Sequence, residues 1–160
     1  MKRLFDQPCT DLEGLRALSR DLAGRCRAGD VILLIGDLGS GKTTFARAFI
    51  QGLGVAEDVP SPTFTLLQSY EGETPNGRLP VYHFDLYRLE HARDLYELDF
   101  EDALEEGVSL IEWPEVAMDL LPEERLEIRL DPGPDADSRA VTILGSGTWA
   151  ERLRDMGETA

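Results

Sequence analysis

The sequence has few cysteines, and they follow no recognisable pattern. Cys9 and Cys26 are the two cysteines of the 160 residues. Two thiols cannot build the disulfide framework of a small secreted domain, and their spacing matches no zinc motif. His83 and His91 also show no metal-ligand pattern with the cysteines. We therefore expect reduced thiols, a cytoplasmic protein and no zinc site.

Long apolar runs are missing as well. No stretch approaches the ~18 uninterrupted apolar residues of a transmembrane helix. The first residues include a basic pair, but Asp6 and Pro8 come before any apolar run, which is not the pattern of a signal peptide. We expect no membrane span and no membrane partner.

Basic residues are scarce. The chain has 16 Lys and Arg against 31 Asp and Glu, a formal charge of −15. Because phosphate backbones are negative and no Lys/Arg stripe is present, we expect no strong direct binding of nucleic acid. The 42% of apolar residues are typical of a folded protein, and the length predicts a single domain over 1–160.

Hydrophobic periodicity predicts an α/β protein. Thr10 or Asp11 can cap the first helix and Gly29 can end it, while the turn-rich segment 71–77 suggests an antiparallel hairpin. The order of elements predicts a mixed, mainly parallel sheet. The predicted helices cover 10–28, 43–53, 91–106 and 148–156, and the predicted strands cover 31–35, 64–70, 79–86, 108–111, 125–130 and 139–144.

The sharpest motif is GDLGSGKT at 36–43, which matches G-x-x-x-x-G-K-[ST] between a buried strand and a helix. Chance gives such a match in roughly one chain in two hundred, and the correct flanks make an ordinary glycine turn a poor alternative. The glycines allow backbone N–H groups to surround a phosphate, and the helix start adds its positive dipole end. Lys42 is expected to reach the β- and γ-phosphates, and the Thr43 hydroxyl to bind Mg²⁺.

Two carboxylates stand out at strand ends. Glu112 follows the strand 108–111, and Asp85 lies in the strand 79–86, where Phe84 should face one side and His83 and Asp85 the other. In open α/β sheets ligands bind at the carboxyl ends of strands, so both can hold a metal or a water. A solvated charge at a strand end is the alternative for each.

Two further features flank these motifs. Ser61-Pro-Thr63-Phe-Thr65 lies where nucleotide switches often place a hydroxyl near the γ-phosphate, although a plain proline turn explains it equally well. Trp113 could pack beside the site, but a tryptophan that caps the core is the more common arrangement and is the interpretation preferred here.

Together GDLGSGKTTF, SPTFTL, YHFDLYRL and IEWPE, in this order, resemble the TsaE family. The resemblance implies a P-loop NTPase-like fold of three layers with a mixed sheet, and an ATPase that uses ATP and Mg²⁺. It also implies action on TsaB and TsaD in forming threonylcarbamoyladenosine at position 37 of tRNA.

The resemblance also implies roles for particular residues. Thr10, Leu12 and Arg139 are expected near the base or sugar, Asp85 at the Walker B-like position, and Trp113 beside the pocket. The implied nucleotide-binding residues are Gly36, Leu38, Gly39, Ser40, Gly41, Lys42, Thr43, Thr44, Thr10, Leu12, Trp113 and Arg139; the metal ligands are Thr43, Asp85 and Glu112; the catalytic residues are Lys42, Thr63, Asp85 and Glu112.

Two other functions use the same loop. A small-molecule kinase usually needs an arginine-rich lid, and only scattered residues such as Arg88 and Arg93 are available for one. A nucleotide-dependent assembly factor that does not hydrolyse ATP would use Asp85 and Glu112 as metal ligands alone. The chain has no Asn-Lys-x-Asp guanine motif, which favours ATP over GTP only by absence.

Overall fold

The structure is a computed structural model that describes residues 1–56, 59 and 66–156. Within these residues, seven strands form one sheet in the order β1-β7-β6-β2-β5-β4-β3. The strands are β1 (Lys2–Thr10), β2 (Val31–Ile35), β3 (Leu67–Thr74), β4 (Gly77–Asp85), β5 (Val108–Glu112), β6 (Leu126–Pro132) and β7 (Arg139–Gly145). The α-helices are α1 (Leu12–Ala23), α2 (Lys42–Gly52), α3 (Phe100–Glu106) and α4 (Trp149–Arg152), and 3-10 helices cover Ala92–Leu98, Pro114–Leu120 and Arg154–Met156.

The four central strands are parallel, and antiparallel strands close both edges. β2 pairs in parallel with β5 and β6, and β4 pairs in parallel with β5. β7 and β1 extend one edge in antiparallel pairing, and β3 forms a hairpin with β4 at the other. The predicted α/β fold with a mixed sheet and an antiparallel hairpin is confirmed.

The sheet has an apolar core on each face. Along β2, Ile32 and Leu34 belong to a buried cluster with residues of α1 and α2. Val31 and Leu33 belong to a second cluster on the opposite face, with residues such as Phe100 of α3. Because successive side chains of a strand point to opposite faces, an unbroken apolar strand packs against helices on both sides, which gives three layers.

The first helix is shorter than predicted. The Asp11 side chain accepts a 2.8 Å hydrogen bond from the backbone N–H of Gly14, so Asp11 is the N-cap. The helix ends at Ala23 because Gly24 is the C-cap, and the predicted continuation to Gly29 is wrong. The second helix agrees with prediction to within a residue at each end.

The hairpin has a tighter turn than the sequence suggested. The strands continue through most of 71–77, so that only 75–76 form the turn. β3 covers Leu67–Thr74, and the first two residues of the predicted strand 64–70 lie outside the described residues. Gly72 suggested a turn but lies inside β3, where an added Cβ would come within 2.8 Å of the Leu79 carbonyl oxygen. It is a close-approach glycine rather than a turn glycine.

Other boundaries differ at the chain's less periodic segments. The predicted helix 91–106 is a 3-10 helix followed by α3, because Asp99 between them has a φ of 53°. The predicted helix 148–156 is likewise divided into α4 and a 3-10 turn. The edge strand β1 has no counterpart among the predicted strands, since it is mostly exposed and its pairing with β7 is irregular.

None of the helices in the part of the chain that the structure describes is both long and apolar enough to cross a membrane.

Candidate functional site

The loop between β2 and α2 has a backbone shape that glycine makes possible. Gly39 and Gly41 have φ values of 78° and 107°, in the left-handed region that side chains rarely adopt. Gly36 is needed for space, since a Cβ there would lie 2.6 Å from the Leu130 carbonyl oxygen. The loop therefore turns sharply, so that the backbone N–H groups at the start of α2 face the concave side of the loop.

Arg139 is the first residue of β7, and its side chain contacts this loop. Its Nε donates a 2.7 Å hydrogen bond to the Ser40 carbonyl oxygen, and Nη2 lies 3.4 Å from the Gly39 carbonyl oxygen. A Cβ on Gly41 would lie 2.9 Å from the same Nε. The arginine thus supports the loop shape, besides lining the adjacent cavity.

The Lys42 ammonium group is held between the loop and an aromatic ring. It donates hydrogen bonds to the carbonyl oxygens of Gly36 and Asp37 and lies 3.3 Å from the centroid of the Trp113 ring. Such a cation–π contact is worth about 0.5–2 kcal/mol. The charge is therefore fixed at the mouth of the loop.

The surroundings of Lys42 are acidic. Burial lowers the pKa of its ammonium group below the ordinary value, while the nearby carboxylates of Glu112, Glu115, Asp85 and Asp37 oppose that shift. Lys42 and Arg139 are the basic residues among the described lining of the cavity, whereas four carboxylates act on Lys42, so a polyphosphate entering here would meet more negative than positive charge. A divalent cation would relieve this repulsion.

Two strand ends meet the start of α2. The Thr43 hydroxyl donates a 3.2 Å hydrogen bond to Glu112 Oε1 at the end of β5. Asp85 at the end of β4 is the register partner of Glu112, and its Oδ1 accepts a 3.0 Å hydrogen bond from the backbone N–H of Tyr87. Both carboxylates are buried, so neither is the solvated strand-end charge of the alternative interpretation.

These groups line one cavity of about 280 Å³. Most of the predicted nucleotide- and metal-binding residues are among its walls. The lining comprises Leu12, Leu38, Gly39, Ser40, Gly41, Lys42, Thr43, Thr44, Asp85, Glu112, Trp113 and Arg139.

Two predicted site residues do not line the cavity, and a third is not among the described residues. Thr10 is buried behind the wall and pairs with Arg139 across β1 and β7, so it does not line the cavity. Gly36 contributes its carbonyl oxygen to Lys42 rather than a surface of the cavity. Thr63, with the segment 61–65, lies outside the described residues.

Trp113 is part of the cavity wall rather than a cap on the core. It is half-buried, and its φ of 55° is uncommon for a bulky residue, a conformation that costs on the order of 1–3 kcal/mol. Its ring also packs against Tyr87, with ring centroids 4.9 Å apart. Sequence reasoning did not single out Tyr87 as a neighbour of the site.

His83 is a second residue whose role sequence reasoning missed, although its position on the same face of the strand as Asp85 was predicted. It is fully buried, and its Nε2 lies 2.6 Å from Glu112 Oε2. Its place two residues before Asp85 on the same face of β4 was a usable signal. The contact with Glu112 could not be read from the sequence, since 29 residues separate the two.

The oxygen donors at this end of the loop are suited to a Mg²⁺ site that is completed by water and phosphate, rather than to a metal site built from protein ligands alone. Within the described part of the chain, no group of three or more His, Cys, Asp or Glu side chains is arranged to hold a metal ion. Thr43, Glu112 and Asp85 instead offer one hydroxyl and two carboxylates at one end of the phosphate loop. Mg²⁺ typically takes one or two carboxylates and completes its shell with water and phosphate oxygens.

The fold and this loop define a class: a buried parallel strand, a glycine-rich turn and a helix that opens with lysine and threonine make the chain a P-loop NTPase-fold protein. The family model "Threonylcarbamoyl adenosine biosynthesis protein TsaE" matches residues 9–141. The chain belongs to the TsaE family, which confirms the resemblance drawn from its motifs.

Individual relatives agree with this assignment. The chain is 40% identical over 141 residues to a tRNA threonylcarbamoyladenosine biosynthesis protein TsaE of Bacillus subtilis, covering 88% of this chain and 85% of that one. It is 41% identical over 143 residues to the Streptomyces coelicolor TsaE, covering 85% and 94%. The crystal structure of Bacillus subtilis YdiB superposes with a TM-score of 0.74 at 35% identity, over 97% of this chain and 93% of that one.

Proposed function

We propose that this protein is a Mg²⁺-dependent ATPase that supports threonylcarbamoyl transfer to adenosine 37 of tRNA by acting on a complex of TsaB and TsaD. The observation that carries the proposal is the 3.2 Å hydrogen bond between the Thr43 hydroxyl and Glu112 at the mouth of the phosphate loop, beside the Lys42 ammonium group. Family membership supports the pathway, because the relatives are tRNA threonylcarbamoyladenosine biosynthesis proteins.

The loop and the start of α2 would bind the phosphates of ATP. The helix has 11 residues, and the N–H groups of its first turn lack intrahelical partners. Lys42 would exchange the neutral carbonyl oxygens of Gly36 and Asp37 for charged phosphate oxygens, which are stronger acceptors. The ammonium group needs to move little, because it already lies at the loop mouth.

Thr43, Glu112 and Asp85 would hold the Mg²⁺ ion at the same end of the loop. When bound, the ion supplies positive charge to the β- and γ-phosphates as the bond between the γ-phosphoryl group and ADP breaks. The two carboxylates lie on neighbouring strand ends, so whichever one does not contact the ion directly can orient the attacking water.

The mouth of the site supports docking of a protein partner. Large apolar side chains are exposed around it: Leu38 is 72% exposed, Tyr87 is 53% exposed and Leu12 is 36% exposed. Leu12 and Leu38 line the cavity, and Tyr87 packs on its wall. The net charge of −15 suits a component that binds other proteins rather than the tRNA itself.

The test is ADP release by the purified protein alone, with candidate metabolites and with a TsaB–TsaD complex. We expect release to require Mg²⁺ and to rise with the complex. Phosphate transfer to a metabolite would instead identify a small-molecule kinase. ATP binding without hydrolysis in any mixture would identify a nucleotide-dependent assembly factor.

Replacing Glu112 should separate catalysis from nucleotide binding. We expect Glu112→Gln to lower Mg²⁺-dependent hydrolysis by about 10²-fold or more, since the group that orients metal or water loses its charge. ATP binding should persist through the loop and Lys42. Glu112→Ala should in addition cost ~1–3 kcal/mol of stability, because the buried His83 Nε2 loses its partner.

The matched control is Glu115→Ala, which removes a nearby carboxylate that is exposed and also acts on Lys42. Hydrolysis should stay within about threefold of wild type in this variant. Steady-state ADP release measures the rates of Glu112→Gln and Glu115→Ala alike. If Glu112→Gln hydrolyses ATP at the wild-type rate, Glu112 has no catalytic role.

A further inference from the structure

The Glu112 carboxylate is held from two directions. Its Oε1 accepts the hydrogen bond from the Thr43 hydroxyl, and its Oε2 lies 2.6 Å from Nε2 of His83. The imidazole lies on β4, deeper in the fold than the cavity, and is fully buried. It does not line the cavity, so any influence on the site passes through Glu112.

The surroundings of His83 indicate which nitrogen carries the proton. An ionised carboxylate only accepts hydrogen bonds, so the nitrogen facing Glu112 must be the donor. In the described structure, Nδ1 is buried and has no hydrogen-bond partner. The Nε2–H of His83 is therefore the donor in the contact with Glu112, and Nδ1 makes no hydrogen bond with the described residues.

Packing does not require a polar pair at this position. The neighbours of the pair on the same face of the sheet are apolar and fully buried, namely Val81 of β4 and Leu110 of β5. Buried ionic pairs often contribute no more stability than apolar residues of similar size. The contribution specific to this pair is the orientation of the Glu112 carboxylate toward Thr43.

We propose that His83 is the positioning residue of the site: through its Nε2–H it fixes the Glu112 carboxylate in the orientation that meets Thr43 and the bound Mg²⁺. This inference rests on the proposed function, because it assigns Glu112 to the metal. Groups that orient a metal-site carboxylate typically affect metal affinity or activity by ~10–100-fold. Because His83 does not line the cavity, it would touch neither ATP nor the reacting phosphate.

Three substitutions test the hydrogen bond itself. In His83→Gln the amide nitrogen can occupy about the position of Nε2 and donate to Glu112. In His83→Asn the shorter side chain places its amide near Nδ1 and cannot reach. His83→Leu keeps the bulk but has no donor. His91→Gln is the matched control, because His91 is the other histidine of the chain and is exposed.

The first measurement is ATP affinity, by calorimetric titration at a series of Mg²⁺ concentrations. Mg²⁺ should raise the affinity for ATP. We expect His83→Leu and His83→Asn to require ~10–100-fold more Mg²⁺ to reach half of this gain. Their affinity for ATP in EDTA should be unchanged. His83→Gln should recover most of the difference. With TsaB–TsaD present, kcat should follow the same order while KM for ATP at saturating Mg²⁺ changes little.

The second measurement is independent of activity. With two histidines in the chain, ¹⁵N NMR of the imidazole rings at one neutral pH, assigned with His91→Gln, should show a protonated Nε2 for His83. Glu112→Gln should shift the His83 Nε2–H signal, and Glu115→Ala should not. A His83 ring protonated on Nδ1 alone would overturn the proposal.

The outcomes separate this inference from the proposed function. If the wild-type protein hydrolyses ATP and all three His83 variants match its Mg²⁺ dependence, the positioning role is wrong and the ATPase assignment stands. If wild type hydrolyses no ATP with TsaB–TsaD, the ATPase assignment fails, while the titrations still test the positioning of Glu112. If His83→Leu does not fold, the comparison of Gln with Asn decides, since a purely structural role predicts equal Mg²⁺ dependence for these two.

Discussion

The Lys42→Ala variant should lose at least about 10²-fold in ATP affinity while keeping its fold. Hydrogen bonds to charged groups contribute ~1.5–3 kcal/mol each, and Lys42 is expected to serve both the β- and γ-phosphates. Stability should change little, because burial already lowers the pKa of the ammonium group, which means that the fold disfavours its charged form. We expect Tm within ~4 °C of wild type, about 1 kcal/mol for a chain of this size.

The chain offers a matched control for this variant. Lys2 is the other lysine and lies exposed on β1, so Lys2→Ala removes the same charge far from the loop. ATP affinity by calorimetry and Tm by thermal unfolding should both stay at wild-type values in Lys2→Ala. Wild-type ATP affinity in a folded Lys42→Ala protein would contradict the phosphate-binding role of the loop.

The isolated protein should hydrolyse ATP slowly, and a TsaB–TsaD complex should stimulate it strongly. Positive charge at the phosphates is the main accelerator of phosphoryl transfer, and an arginine supplied in trans is worth ~10³–10⁵ in rate. Arg139 is the one arginine among the described residues that line the cavity. Its guanidinium group is already hydrogen-bonded to carbonyl oxygens of the loop. The partner would supply the missing charge or act through the segment 61–65, which includes Thr63.

Steady-state ADP release with and without the complex measures the stimulation, and Thr63→Ala tests the segment. We expect Thr63→Ala to reduce the stimulated rate far more than the rate of the isolated protein. Docking should also require bound ATP, because a ligand shifts only an equilibrium whose states it binds with different affinity. Equal rates with and without the partners would leave a self-sufficient ATPase or a kinase as the better assignment.

Sequence reasoning succeeded where short-range rules apply. The five-residue apolar run of β2 predicted a strand buried on both faces, and the structure has it at the same residues. α2 follows the glycines as predicted. Sequence reasoning was less successful where one residue is compatible with two conformations. Gly72 suggested a turn but allows close packing within a strand. Asp99 divides a helix that the sequence pattern presented as continuous.

The site shows the same division. Lys42 and Thr43 could be placed at the mouth of the loop because a motif of eight residues determines their geometry. The roles of Arg139 and Trp113 could not be read in this way. Arg139 contacts the Ser40 carbonyl oxygen from 99 residues away, and Trp113 reaches Lys42 through a left-handed backbone conformation that no sequence pattern indicated.

By itself the sequence determined the strand, the loop and the helix of the proposed phosphate-binding site, because glycine conformation and helix-start amides are local properties. It also marked Asp85 and Glu112 as strand-end carboxylates. Only the tertiary structure decided how Glu112 is oriented, between a hydroxyl 69 residues away on α2 and an imidazole 29 residues away on β4. The physical reason is that β4 and β5 pair in parallel, so the register between strands, rather than spacing along the chain, brings these side chains together.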